Sequence, residues 1–326
     1  MSTRSSKGGI RLFFATDIHG GEVAFRKFVN AARFYEADVL ILGGDVVGKL
    51  LIPIVEEHGA YRATVQGTPQ VLGAADLPAF HRKLGTLGFY GLVLSGHEYA
   101  ALRDDAAAVD RAFVQAARDR LAAWVRLAEE RLAATPVRCY ITGGNDDPWE
   151  VLAVLEQEAR EHVVPCEGRP VEIGGGHTMV SLGFSNETPW KTPREITEAE
   201  LAGKIEGVVN GVKDFSRCIF NFHCPPKDSS LDTCPVLDTS TDPPTPVTVA
   251  GQAVLFGAGS TAIREAIERY RPAVGLHGHI HECRGMVRLG PTVCFNPGSE
   301  YGEGLLRGVL VNLQEGKVVA YQFTSG

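Results

Sequence analysis

Nowhere does the chain approach the roughly 18 consecutive apolar residues that a membrane-spanning helix needs. Residues 1–9 are small, polar and basic, without the apolar run of a secretory signal. A cytoplasmic protein with no membrane partner is therefore expected. Cys-x-x-Cys pairs are also missing. The seven cysteines (139, 166, 218, 224, 234, 283 and 294) are scattered and odd in number, which fits a reducing compartment rather than a disulfide framework. Nor is there an excess of basic residues. A formal net charge of -7 lacks the cationic surplus behind non-specific nucleic-acid affinity, so bulk nucleic-acid binding is not expected. Oligomeric state leaves no mark in these features. What remains is a chain of 326 residues, 44% hydrophobic and 22% charged, able to bury a full core as one large α/β domain or two small ones.

The clearest pattern is a short apolar run that stops at polar residues, and it occurs five times. Residues 10–16 (IRLFFAT) end at Asp17-Ile18-His19-Gly20, and residues 37–42 (ADVLIL) end at Gly43-Gly44-Asp45. Residues 137–142 (VRCYIT) end at Gly143-Gly144-Asn145-Asp146-Asp147, residues 218–222 (CIFNF) at His223, and residues 273–276 (AVGL) at His277-Gly278-His279-Ile280-His281. Runs of this length and composition, bounded by turn signals, are buried strands. Residues 22–35 follow helical spacing and give a βαβ opening. Ligands of open α/β sheets bind outside the carboxyl ends of strands, so all five polar clusters are expected on one edge.

A largely helical insertion is expected at about residues 50–136. Val109, Phe113, Ala117, Leu121, Trp124, Ala128 and Leu132 recur at three- and four-residue steps, with Asp104 and Asp105 at the start and Pro136 beyond the end. This long helix either packs on the sheet or forms a lid. Residues 80–99 add a helix and a short strand. The proline-rich residues 225–246 read as a loop rooted at His223, residues 261–270 as a helix, and residues 287–295 and 309–323 as closing strands, the latter turning at residues 314–317.

Each polar cluster alone is a common strand-end turn. Together, two carboxylates, one amide and several imidazoles offer the mixed nitrogen and oxygen donors that suit first-row divalent metals, and they are costly to gather without a compensating ion. The ordered series Asp17-Ile18-His19, Gly44-Asp45, Gly144-Asn145-Asp146-Asp147, His223 and Gly278-His279-Ile280-His281 resembles the calcineurin-like metallophosphoesterase family along nearly the whole chain. His223-Cys224-Pro225-Pro226 and Asn296-Pro297-Gly298-Ser299-Glu300-Tyr301 resemble its prokaryotic Icc-like single-domain branch. The resemblance implies one domain over residues 1–326 and an α/β fold, a four-layer αββα sandwich of two mixed sheets. It also implies two divalent ions, manganese first, with iron, zinc or nickel as alternatives. Asp17, His19 and His281 would hold one ion, Asn145, His223 and His279 the other, and Asp45 would bridge them. The implied activity is phosphoester hydrolysis, expected to be phosphodiesterase, in which the two cations neutralise the phosphoryl oxygens and acidify a bridging water for in-line attack. Phosphomonoesterase activity on nucleotides or proteins, or a non-catalytic partner-binding module on the same fold, are the alternatives.

The residue after the asparagine, often histidine in the wider family, is Asp146 here. Asp45, Asn145 and Asp146 are the candidate catalytic residues, but an ionised Asp146 cannot protonate a leaving group. It and Asp147 also suit a turn cap or an acceptor from a ligand histidine. His277 reads as a packed histidine, His97 as an exposed one in the insertion, and Gly174-Gly175-Gly176 as a hairpin. Residues 185–188 are placed beside the cleft.

Overall fold

A computed structural model describes residues 9–241 and 243–326; residues 1–8 of the polar start read above, and Asp242 of the proline-rich stretch, lie outside them. The chain opens with β1 (Gly9–Ala15), α1 (Glu22–Phe34) and β2 (Val39–Gly43). The insert follows as β3 (Leu51–Glu57), β4 (Ala60–Val65), β5 (Thr68–Leu72), α2 (Leu77–Thr86), β6 (Tyr90–Ser95), α3 (Gly96–Arg103) and α4 (Ala106–Leu132). Next come β7 (Arg138–Thr142), α5 (Trp149–Glu158), β8 (Val163–Pro165), β9 (Val171–Gly174), β10 (His177–Leu182), α6 (Glu198–Val209) and β11 (Cys218–Phe222). Paired strands of two or three residues then fill residues 233–257. The last elements are α7 (Thr261–Tyr270), β12 (Val274–Leu276), β13 (Gly285–Leu289), β14 (Thr292–Asn296), β15 (Arg307–Gln314) and β16 (Lys317–Ser325).

Two six-stranded mixed sheets result. The first runs β16-β15-β1-β2-β7-β8, with β1, β2, β7 and β8 parallel and β15 antiparallel to both of its neighbours, β1 and β16. The second runs β13-β14-β12-β11-β10-β9, again with four parallel strands and antiparallel edges. Alternation along each strand builds the layers. Phe13, Leu40, Leu42, Cys139 and Ile141 face α1, α4 and α5. Their neighbours Leu12, Phe14, Val39, Ile41 and Tyr140 turn to the second sheet and meet Met179, Ile219, Leu276 and Phe295. From the far face of that sheet Val180, Leu182, Phe220 and Phe222 pack on α6 and α7. The order is helices, sheet, sheet, helices, the expected αββα sandwich.

Two details depart from the pattern read in the sequence, and a third decides between two alternatives it left open. Residues 287–295 are not one strand but the hairpin β13–β14, turning at Gly290 with φ 58°. The insert carries a four-stranded sheet, β5-β4-β3-β6, around its own small core of Ile52, Ile54, Phe80 and Leu84. Its hairpins turn on His58-Gly59 (φ 53° and 78°) and Gln66-Gly67 (φ 49° and 75°), pairs whose shared positive φ matches strand twist. Lastly, α4 is a layer of the sandwich and not a lid. Its buried Ala117, Leu121, Trp124, Val125, Ala128 and Leu132 join the cluster with α1 and α5, and Trp124 stacks on Phe25 at 4.4 Å.

The insert meets the first sheet through glycines. A Cβ on Gly48 would strike the Gly88 carbonyl, one on Gly88 the His19 carbonyl, and one on Gly20 would come within 2.7 Å of the Gly48 Cα. Around this junction the Gly48 N–H donates to the Tyr90 hydroxyl at 2.7 Å. Arg120 of α4 stacks over the Tyr90 ring at 4.4 Å and donates to the Gly20 and Phe89 carbonyls, both at 2.9 Å.

Candidate metal centre

The loops after the parallel strands converge on one edge, as expected for an open α/β sheet. The loop after β1 is zipped to that after β2: Asp17 N–H donates to Gly44 O at 3.0 Å, His19 N–H to Asp45 O at 2.9 Å, and Gly20 N–H to Val46 O at 2.9 Å. Asp17, His19, Asp45 and His279 all have positive φ, at 54°, 37°, 50° and 67°. Left-handed backbone costs a non-glycine residue roughly 1–2 kcal/mol. Its recurrence at four candidate ligands marks a conformationally constrained edge.

The motif glycines have a shared reason. A Cβ on Gly44 would press on the His223 ring, one on Gly144 on the Asp45 carboxylate, and one on Gly278 on the Asp17 carboxylate. Only glycine lets these loops close around the polar side chains.

Asp17, His19, Asp45, Asn145 and His223 are buried, and His279 and His281 are partly buried. His281 Nε2 lies 3.1 Å from His19 Nε2 and 3.4 Å from Asp17 Oδ1. His223 Nε2 lies 3.4 Å from Asp45 Oδ1 and 3.8 Å from Asp17 Oδ1. Asp45 Oδ2 lies 3.6 Å from His19 Nε2, and Asn145 Oδ1 lies 2.8 Å from His279 Nδ1. All seven expected ligands are thus brought together. Among the described residues, three triads could hold a metal ion: Asp17, His19 and His281; Asp17, Asp45 and His223; and His19, Asp45 and Asp146.

The donor set fits divalent cations. Atoms bound to a common ion at about 2.0–2.2 Å stand roughly 3–3.5 Å apart, close to the spacings above. His223 Nε2 is buried and makes no hydrogen bond among the described residues, although two carboxylate oxygens stand near it. Its other nitrogen, Nδ1, lies 2.9 Å from the Gly43 carbonyl, which directs Nε2 into the cluster. Burial pushes the His19 pKa down to about 3. Burial, then the charge of His223, takes His279 down to about 4. Burial works to neutralise Asp45, but the His223 imidazolium outweighs it and holds the carboxyl well below its ordinary value. Burial opposes charge on His223 and His281 as well, but Asp45 and Asp17 raise His223 to about 10 and Asp17 raises His281. His19 and His279 are thus neutral, as metal coordination requires, while His223 and His281 would give up a proton to a bound cation.

Further residues hold the cluster in place. The Asp17 carboxylate accepts the His279 N–H at 3.0 and 3.1 Å, and Ser299 Oγ donates to the Asp17 carbonyl at 2.6 Å. Asn296 Nδ2 donates to Gly278 O at 3.1 Å and Ile280 O at 3.0 Å, shaping the Gly-His-Ile-His turn. Asp147 accepts from Val46, Val47 and Gly144 N–H at 3.0, 2.7 and 2.7 Å, so it caps the two ligand loops. His277 is a packed histidine, with Nδ1 2.7 Å from Phe222 O. His97 is exposed on α3.

Other contributors carry little sequence signal. Asn145 Nδ2 donates to Thr192 Oγ1 at 2.8 Å, and Thr192 Oγ1 to Glu195 Oε1 at 2.8 Å. The Thr-x-x-Glu spacing is the one visible hint of this turn. Arg194 is buried between the rings of Trp149 and Phe184, at 4.2 and 4.6 Å, pairs with Glu167, and donates to Gly144 O at 3.0 Å. Lys49 was not singled out in the sequence, yet its ammonium lies 2.8 Å from Asp146 Oδ2. Asp146 is therefore paired rather than a bare carboxylate.

No protein-family model matches the chain. It is 32% identical over 121 residues to the uncharacterized protein MJ1162 of Methanocaldococcus jannaschii, a match covering 36% of this chain and spanning about half (47%) of that relative's length. Among solved structures, it resembles TT1561 of Thermus thermophilus, with a TM-score of 0.53 at 14% identity over 97% of this chain and 98% of that one. A second crystal structure superposes with a TM-score of 0.55 at 13% identity, over 98% of both chains. These likenesses extend to the fold.

Proposed function

We propose that this chain is a cytoplasmic phosphoester hydrolase of the calcineurin-like kind, acting on phosphodiesters ahead of monoesters with two divalent cations, manganese first. Asp17, His19 and His281 hold one cation and Asn145, His223 and His279 the other, with Asp45 between them. The observation that carries this reading is the divided carboxylate of Asp45. Its Oδ2 faces His19 Nε2 at 3.6 Å and its Oδ1 faces His223 Nε2 at 3.4 Å, so each oxygen serves a different half of the cluster.

Bound there, two cations neutralise phosphoryl charge and acidify the attacking water. The chain's own residues set the geometry. The Asp146 backbone N–H donates to Asp45 Oδ1 at 3.0 Å and fixes the carboxylate plane. Asn145 adds an oxygen without charge, so the ligands do not cancel the charge that polarises the substrate.

The test is hydrolysis by manganese-loaded protein across a panel of aryl and alkyl diesters, monoesters and cyclic nucleotides, with bound metal counted on the same sample. Turnover of at least one diester that stops in chelator is expected. Two bound ions with no turnover across the panel would leave a binding module, and undiminished turnover in chelator would remove the metal from the reaction.

A further inference from the structure

Lys49 follows the Asp45 loop and precedes β3, where the insert begins. Its ammonium is 2.8 Å from Asp146 Oδ2, and the same carboxylate oxygen stands 3.8 Å from His19 Nδ1. The Lys49 side chain is 46% exposed while Asp146 is 18% exposed, so the pair lies at the mouth of the buried cluster with the cation on the solvent side. One carboxylate can occupy only part of an ammonium's three donors. The backbone on either side is fixed, because the Gly48 N–H is held by the Tyr90 hydroxyl and Leu50 O accepts the Tyr90 N–H at 2.9 Å. Arg120 in turn locks Tyr90.

On the reading of the site as a phosphoester hydrolase, we infer that Lys49 binds substrate. Its ammonium takes a non-bridging phosphoryl oxygen of the incoming ester, Asp146 positions it for that contact, and the insert supplies the rigid backbone that carries it. Lys49, at the entry to the insert, thereby adds a charge to the site without adding a metal ligand. A free donor on a charged group, held above a centre that attracts phosphate, is suited to bind its oxygens. Because the contact exists in bound substrate and transition state alike, its loss appears mainly in KM.

The experiment compares the unmodified protein, Lys49→Met and Lys49→Arg, each loaded with manganese and assayed for metal content. Binding of inorganic phosphate is measured by calorimetry, and kcat and KM on an aryl diester. Lys49→Met should weaken phosphate binding and raise KM by roughly ten- to a hundredfold, the scale of a lost charged hydrogen bond. Metal content should stay at the unmodified level, and Lys49→Arg should recover most of the loss. Asp146→Asn should raise KM less than Lys49→Met, because it loosens the ammonium without removing it. Phosphate bound by Lys49→Met as tightly as by the unmodified protein overturns the inference. So does loss of metal from Lys49→Met, which would place Lys49 in support of the ligands. Lys49-dependent phosphate binding without hydrolysis of any ester would uphold Lys49 while the hydrolase reading falls.

Discussion

Asn145 and His279, 134 residues apart in the chain, meet side chain to side chain, with the amide Oδ1 2.8 Å from the imidazole Nδ1. The amide is oriented from behind, because its Nδ2 is engaged by the Thr192 hydroxyl, which is itself tied to Glu195. An asparagine amide is nearly symmetric in shape, so this partner decides whether oxygen or nitrogen faces the cluster.

Thr192→Val removes that partner at nearly constant volume. The variant should fold as the parent does but bind manganese about 10- to 100-fold more weakly at one of two positions, the usual scale for losing a group that orients a ligand. Competition with a metal indicator measures it. Two unchanged affinities would mean that Thr192 does not hold the amide.

Asp45→Asn should lower turnover by about a hundredfold or more, because it weakens both cation positions at once. It should also reduce bound metal below two ions per chain, read by elemental analysis of the dialysed protein. A variant that keeps two ions and full turnover would remove Asp45 from its central role.

Leaving-group chemistry gives a third expectation. Burial works to lower the Lys49 pKa, but the Asp146 carboxylate outweighs it and raises it. The ammonium at the mouth is therefore a poor proton donor, and no imidazole occupies the position after Asn145. Proton donation by a positioned acid is typically worth about 10² to 10⁴ in rate and matters most for basic leaving groups. Aryl diesters should be cleaved far faster than alkyl monoesters, and Asp146→His should narrow the gap. Equal rates on the two substrates by the unmodified protein would show that another acid reaches the ester.

A fourth concerns stability away from the site. Glu129 on α4 accepts N–H donors from Arg160, Glu161, His162 and Val163 at 2.7, 3.3, 3.0 and 2.9 Å. Burial works to raise its pKa, but these four donors prevail and hold it below the ordinary 4.5. A folded-state pKa lowered in this way contributes stability above about pH 4.5 that is lost as pH falls through the folded value. Glu129→Gln should cost about 1 to 2 kcal/mol at neutral pH, with the difference shrinking in acid. Urea melts at pH 7 and pH 3 check it, and an equal cost at both values would contradict it.

Most of the site was legible because its residues stand where strands stop. A buried strand leaves a continuous apolar run, so Asp17, Asp45, Asn145, His223 and the Gly-His-Ile-His turn appear as abrupt polar ends. Lys49 and Arg194 interrupt no such pattern: one lies in the bend just before an inserted strand, the other sits in an irregular loop, and both matter through what folds against them. Three of the four strands in the insert's sheet were hidden for a related reason. They are half exposed and polar, with Glu56, Glu57 and Arg62 in pairing positions and only the two residue-glycine turns to betray them, whereas β6 was legible as the short strand within residues 80–99.

The contact of Gly20, Gly48 and Gly88 has a consequence for how such a protein can be rebuilt. Three backbones touch where no side chain fits, and Arg120, from the far end of the insert, grips the carbonyl next to His19. The insert is thus not a cassette to be cut out at residues 50 and 136. A graft of its sheet and helices onto another αββα scaffold would need all three glycines and Arg120 to travel together. A shortened chain lacking the insert would leave the His19 loop with an open flank where it now has a wall.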